Sequence, residues 1–159
     1  MGAVVRAVAW DHPAAARLRA RLITELRERY ADRLPSVPGR PLDPDPADGD
    51  VAYTGVAFTP GGLPVGHLAL RWTGPDLELK RMYVVPGHRG HGVSSALLAA
   101  ADEAARDLGA ARIVLQTGDR QPEAVRLYER AGYTPIPVFP PYDRLSYSAC
   151  FEKVIGAGR

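Results

Sequence analysis

Residues 77–115 constrain the fold more than any other part of the chain. An apolar-rich run, residues 77–85, carries the carboxylate of Glu78 and is stopped by Pro86-Gly87. The basic glycine turn Arg89-Gly90-His91-Gly92-Val93-Ser94 opens a helix expected over 90–108. That helix keeps Val93, Leu97, Ala101, Ala104 and Leu108 on one face, with Gly109 as its stop. Ile113-Val114-Leu115 is a short, wholly apolar strand of the kind buried on both faces. A strand–helix–strand unit of this kind sets its two strands parallel and adjacent. Glycines in the turn permit positive φ and close approach of a ligand. The free N–H groups at a helix start make an anion site. A phosphate cradle therefore stands next to a strand that bears a carboxylate, which suggests an enzyme with a phosphate-bearing cofactor.

The rest of the chain dresses this unit. Residues 3–10 read as a first strand, and His12-Pro13 starts a helix with Leu18, Leu22, Leu26 and Tyr30 at four-residue spacing. Residues 35–50 hold five prolines and four aspartates and read as a surface loop. Strands follow at 51–59 and 63–72, separated by Pro60-Gly61-Gly62 and ended by the turn Thr73-Gly74-Pro75-Asp76. With 77–85 they form an antiparallel meander. The 73–76 turn sets Arg71 opposite Glu78 and His67 near Met82. A helix at 121–131 has Pro122 in its first turn and Gly132 after its end. Residues 135–141 are irregular, and 146–154 form a last strand. The expected fold is α/β (α+β): a mixed, mostly antiparallel sheet of about six to seven strands with about three to four flanking helices.

Composition excludes several classes. A length of 159 residues fits one domain. The net charge is only +2, and acidic and basic residues interleave, which argues against nucleic-acid binding. A lone cysteine, Cys150, fits a reducing, cytoplasmic setting. No apolar run is long enough for a membrane span, and no secretory leader is evident. The bias to Arg, Ala and Pro, with Lys only at 80 and 153, has a bacterial, GC-rich look. His88 and His91 are three apart but have no third ligand nearby, so no metal is implied. Other glycine loops fit less well. A P-loop requires Lys after its last glycine, and a dinucleotide fingerprint requires a third glycine where Ser95 stands.

Two signatures in order resemble the GNAT superfamily of acetyl-CoA-dependent N-acetyltransferases. The first is the cofactor loop Arg89, Gly92 and Ser94, with serine where the family has Gly or Ala. The second is Ala124, Leu127-Tyr128-Glu129 and Gly132-Tyr133, with Gln121 where the family often has Asn. The resemblance covers roughly residues 50–135.

It implies acetyl-CoA as co-substrate and an amine acceptor, a small molecule or a peptide. Arg89, Gly90, His91, Gly92, Val93 and Ser94 would hold the pyrophosphate, with Gln121 and Tyr128 as further cofactor contacts. The strand would splay near Met82, whose backbone N–H would bind the thioester oxygen, while groups near Val84 pair with pantetheine. Tyr128 would protonate the departing thiolate. Glu78 lies 11 residues before Arg89 (89 − 78) and has two roles open to it: the base that deprotonates the amine, or an ion-pair partner of Arg71. His67 is a second candidate base. Asp43–Asp50, or Tyr142, Asp143 and Arg144, would border the acceptor. C-terminal strands often pair between subunits in this superfamily, which leaves a homodimer open. An acyl-CoA-binding sensor without chemistry is the alternative from another class.

Overall fold

The computed structural model describes residues 2–32, 48–118, 121–144 and 147–156. Among the described residues seven strands form one sheet: β1 (Val4–Ala7), β2 (Val51–Phe58), β3 (Pro64–Thr73), β4 (Asp76–Val84), β5 (Arg112–Gly118), β6 (Thr134–Ile136) and β7 (Ser148–Val154). Their order is β1-β2-β3-β4-β5-β7-β6. Among the described strands only β4 and β5 run parallel; every other pair is antiparallel. Three helices complete the described fold: α1 (Pro13–Arg29), α2 (Val93–Leu108) and α3 (Pro122–Arg130). This is the expected class, with strand and helix numbers in the expected ranges. None of the described helices is long and apolar enough to cross a membrane.

Several boundaries differ from the sequence reading for local reasons. Helix α2 begins at Val93 rather than residue 90, because Gly92 caps it in the left-handed region at φ +84°. Leu108, at its last turn, is 40% exposed and leaves the apolar face. Pro135 and Ile136, expected to be irregular with the rest of 135–141, instead belong to β6 and pair with β7 as an edge strand. Pro135 is tolerated there because an edge strand has one side without a partner. The Pro- and Asp-rich stretch lies mostly outside the described residues, including Asp43 and Asp45; Asp48–Asp50 forms a 3-10 turn leading into β2.

The helices cover opposite faces of the sheet. Gly66 and His67 are consecutive on β3 and so face opposite ways. A Cβ on Gly66 would meet Val93 and Leu97 of α2 at 2.9 Å, whereas His67 meets Arg19 of α1. The larger core, including Leu68, Leu70, Leu77, Leu97 and Ile113, lies on the α2 side. A smaller one joins Ala15, Leu18 and Leu22 of α1 to Val56 and Tyr83.

Two irregularities shape the middle of the sheet. The parallel pairing of β4 with β5 is limited to Leu77↔Ile113 and Glu78↔Val114, although the strands run on to Val84 and Gly118. The pair therefore parts. In the same region β4 bulges: Ala69 faces Lys80, but His67 faces Tyr83. Arg81 sits in this bulge at φ +58° and is the one non-glycine among the described residues with positive φ. The extra residue moves His67 one place from its expected neighbour, Met82. The Arg71↔Glu78 pairing is as expected.

Candidate active site

A cleft of about 250 Å³ opens where β4 and β5 part. Met82, Tyr83 and Val84 form its floor, Arg89, Gly90 and Ser94 one rim, and α3 the other through Gln121, Ala124, Leu127 and Tyr128. Helix α1 closes a further side with Leu22, Glu25, Leu26 and Arg29. Seven residues singled out in the sequence thus meet on one cleft: Met82, Val84, Arg89, Gly90, Ser94, Gln121 and Tyr128. His91, Gly92 and Val93 belong to the same stretch but do not line the cleft, and Val93, the first residue of α2, is buried against the sheet.

The turn has the properties of an anion cradle. Gly90 (φ +80°) and Gly92 (φ +84°) are left-handed, and the space over both is open. Among the described residues, no backbone acceptor meets the N–H groups of Gly90, His91, Gly92, Val93 or Ser94. These donors stand at the positive end of the α2 dipole. Room without a Cβ and unused donors fit a diphosphate.

The Arg89 side chain turns elsewhere. Its Nε donates to the carbonyl of Val84 at 2.7 Å, and its Nη2 reaches both oxygens of Glu25 at 2.9 and 3.1 Å. Glu25 also pairs with Arg29 at 3.3 Å, and Arg29 with Glu123 of α3 at 2.6 Å. An ionic chain from the cradle through α1 to α3 therefore borders the cleft. Burial opposes the charge on Glu123, but a main-chain hydrogen bond and Arg29 outweigh it and hold this carboxyl below its ordinary range. Sequence reading missed Glu25, because no local signal ties it to an arginine 64 positions away.

Tyr128 is 6% exposed, with its ring edge-on to Tyr133. Burial drives its phenol well above the ordinary tyrosine value, so it remains protonated throughout the neutral range. Gln121 lines the cleft and donates to the Tyr30 hydroxyl at 3.5 Å.

Glu78 does not line the cleft and is 1% exposed. One oxygen accepts from Arg71 Nε at 3.0 Å and the other from the Tyr142 hydroxyl at 2.5 Å. Lys80, also buried, donates to the same hydroxyl at 2.8 Å and lies 3.9 Å from Glu78. Tyr142 arrives from a short 3-10 turn after β6. The rim tyrosine of the sequence reading is thus a buried bridge, and Lys80 is a member that reading overlooked. His67 is fully buried and bonded to Arg19 and to the carbonyl of Arg81. Cys150 is buried, and burial chiefly raises its thiol pKa, leaving an unreactive side chain.

The sequence profile of the acetyltransferase (GNAT) family matches residues 17–133. The chain belongs to this family. Acetyl-CoA is the family's co-substrate, as the two signatures implied. An IAA acetyltransferase of Azospirillum brasilense is 29% identical over 83% of this chain and 87% of its own length. An acetyltransferase of Agrobacterium fabrum is 41% identical over 48% of this chain, and the chain spans half of that relative's length. A crystal structure from Klebsiella pneumoniae, assigned as an acyl-CoA N-acyltransferase, superposes with a TM-score of 0.79 at 27% identity, covering 96% of this chain and 97% of that one. A Bacillus anthracis protein solved with acetyl coenzyme A shares the fold at a TM-score of 0.58 and 19% identity, over 66% and 62% of the two chains.

Proposed function

We propose that this chain is a single catalytic domain that transfers an acetyl group from acetyl-CoA to a primary amine by direct attack. The observation that carries this is the meeting, on one cleft, of the parted β4–β5 pair with the open glycine turn. Backbone N–H groups of Gly90–Ser94 hold the diphosphate. The freed edge of β4 at Val84 lies alongside pantetheine and leads the thioester to Met82. The Met82 N–H stabilises the oxygen that becomes an oxyanion as the amine attacks. The amine attacks in its neutral form: the C–N bond forms, the C–S bond breaks and the proton shed by the nitrogen passes to solvent, while Tyr128 offers its hydroxyl to the departing sulfur. Its raised pKa makes full transfer uphill, so Tyr128 contributes mainly a hydrogen bond to the thiolate.

For Glu78, the geometry favours the ion pair over direct proton abstraction, since both oxygens are engaged and neither faces the cleft. We assign it the anchoring of Arg71, Lys80 and Tyr142. Release of free thiol from acetyl-CoA across a panel of small amines and peptides tests the proposal. Amine-dependent release supports acetyl transfer. Calorimetric CoA binding without release from any amine makes the protein a sensor instead, and no heat with CoA or acetyl-CoA removes the cradle itself.

A further inference from the structure

A chain of buried polar contacts runs beneath the bulge, and acetyl transfer as described does not use it. His67 on β3 is 0% exposed, and Arg19 on α1 is 9% exposed. Arg19 Nη1 stands 3.1 Å from His67 Nε2, and His67 Nδ1 stands 2.8 Å from the carbonyl oxygen of Arg81. Arg19 is itself held: its Nη2 donates to the Trp10 carbonyl at 2.6 Å, and its guanidinium lies 3.6 Å from the centre of the Trp10 ring. A guanidinium can only donate, and a carbonyl can only accept. Nε2 of His67 therefore accepts, and Nδ1 carries the proton and donates to Arg81. The ring is neutral, in one tautomer, with its lone pair used. It has no basic site left for an amine, which removes His67 from the candidate bases.

The carbonyl it holds is a particular one. Arg81 occupies the left-handed region at φ +58°, a strained conformation that a residue with a Cβ keeps only where its surroundings hold it. The Arg81–Met82 peptide is trans. In a trans peptide the C=O and the following N–H point in opposite directions. Drawing the Arg81 carbonyl toward the His67 ring therefore turns the Met82 N–H away from that ring. Met82 itself lines the cleft at the level where β5 has already parted from β4. A hydrogen bond accepted by the carbonyl also polarises the peptide and strengthens its N–H as a donor.

We propose that His67, oriented by Arg19, is a positioning residue: it locks the Arg81–Met82 peptide so that the Met82 N–H faces the reacting carbonyl. This rests on the assignment of Met82 as the oxyanion donor. His67 touches no substrate; it acts through one peptide plane.

The test compares His67→Leu, which deletes the lock, with His67→Gln, which keeps one donor and one acceptor. Both are assayed with acetyl-CoA and an amine that the wild type acetylates. Loss of one oxyanion donor lowers kcat by about 10²-fold or more, and His67→Leu is expected to approach that. The calorimetric Kd for CoA stays within about threefold, because the cradle is untouched. His67→Gln recovers most of kcat. Arg19→Met lowers kcat in the same direction, and the double variant with His67→Leu is no slower than His67→Leu alone. Long-range ¹H–¹⁵N spectra of the wild type show the proton on Nδ1, a readout that needs neither activity nor a folded variant. The proposal is overturned by an Nε2-protonated ring, by a folded His67→Leu enzyme with unchanged kcat, or by kcat and CoA affinity falling together. A wild type that releases no thiol defeats the acetyl-transfer assignment instead, and the ring proton then decides alone whether the lock exists.

Discussion

Replacing Tyr142 with Phe isolates the hydroxyl that ties Glu78 to Lys80. The ring is 1% exposed and packs edge-on against Phe139 at 5.4 Å between centroids, so Phe preserves the packing. Two hydrogen bonds to charged groups vanish: the 2.5 Å bond to Glu78 and the 2.8 Å bond from Lys80. Each is worth about 1.5–3 kcal/mol net when buried. Part of the loss is recovered, because Lys80 Nζ and Glu78 Oε2 already stand 3.9 Å apart and can close on each other. The expected net destabilisation is about 2–3 kcal/mol. For a chain of this size that lowers Tm by roughly 4–12 °C. Urea unfolding followed by circular dichroism, with an unchanged m-value, reads the free energy, and calorimetry reads Tm. In a Glu78→Gln background the same substitution costs less, because its principal partner has lost its charge. A loss below about 0.5 kcal/mol in the wild-type background refutes the bridge, since that is the scale of an ordinary surface change.

Gly66→Ala places a methyl 2.9 Å from both Val93 and Leu97 and 3.4 Å from the Tyr83 carbonyl. It is expected to cost about 1–3 kcal/mol in denaturant unfolding and to raise KM for acetyl-CoA more than it changes kcat, because the start of α2 is pushed off the sheet. Tyr133 is buried with its hydroxyl unpartnered among the described residues. Tyr133→Phe therefore stabilises by about 1 kcal/mol at neutral pH, as read by urea unfolding. Burial also raises the Tyr128 and Tyr133 phenols above the ordinary 10.0. The unfolded chain gives up these protons near that pH while the folded chain keeps them, so stability falls as pH rises past 10.0, and Tyr133→Phe makes the decline shallower. Glu25→Gln frees the Arg89 guanidinium; calorimetric binding of CoA tightens by about two- to fivefold at low salt, and the gain fades as salt is added.

What was legible in the sequence was local. The stop at Pro86-Gly87, the glycine turn and the apolar 113–115 run specify a strand–helix–strand unit, because each depends on neighbours in the chain. The 73–76 turn fixes the Arg71↔Glu78 register for the same reason. The bulge was not legible. Left-handed backbone is announced by Gly or Asn, and here an arginine takes it up, held by a histidine 14 positions back. One unpaired residue then displaces everything on its far side, which is why His67 faces Tyr83. Tyr142 was visible as a rim residue but not as the partner of Glu78, since the contact crosses 64 positions and depends on how a proline-rich loop folds back.

Helix α1 joins the two halves of the candidate site, and its spacing explains how. Arg19 reaches His67 under the bulge, while Glu25, six residues on, reaches Arg89 beside the cradle. Six residues advance a helix by about 9 Å and turn it by about 240°. The first contact therefore points into the sheet face and the second toward the cleft mouth, with Leu22 between them packed against Tyr83 in the smaller core. The peptide that would receive the acetyl oxygen and the arginine beside the glycine turn are set by one rigid rod. Hydrophobic packing at Leu18 and Leu22 is non-directional and fixes how closely α1 approaches. The Arg19–His67 and Glu25–Arg89 contacts are directional and fix its rotation. A helix with the same apolar stripe but without these two side chains would still cover the sheet; it would not define where the Met82 N–H points.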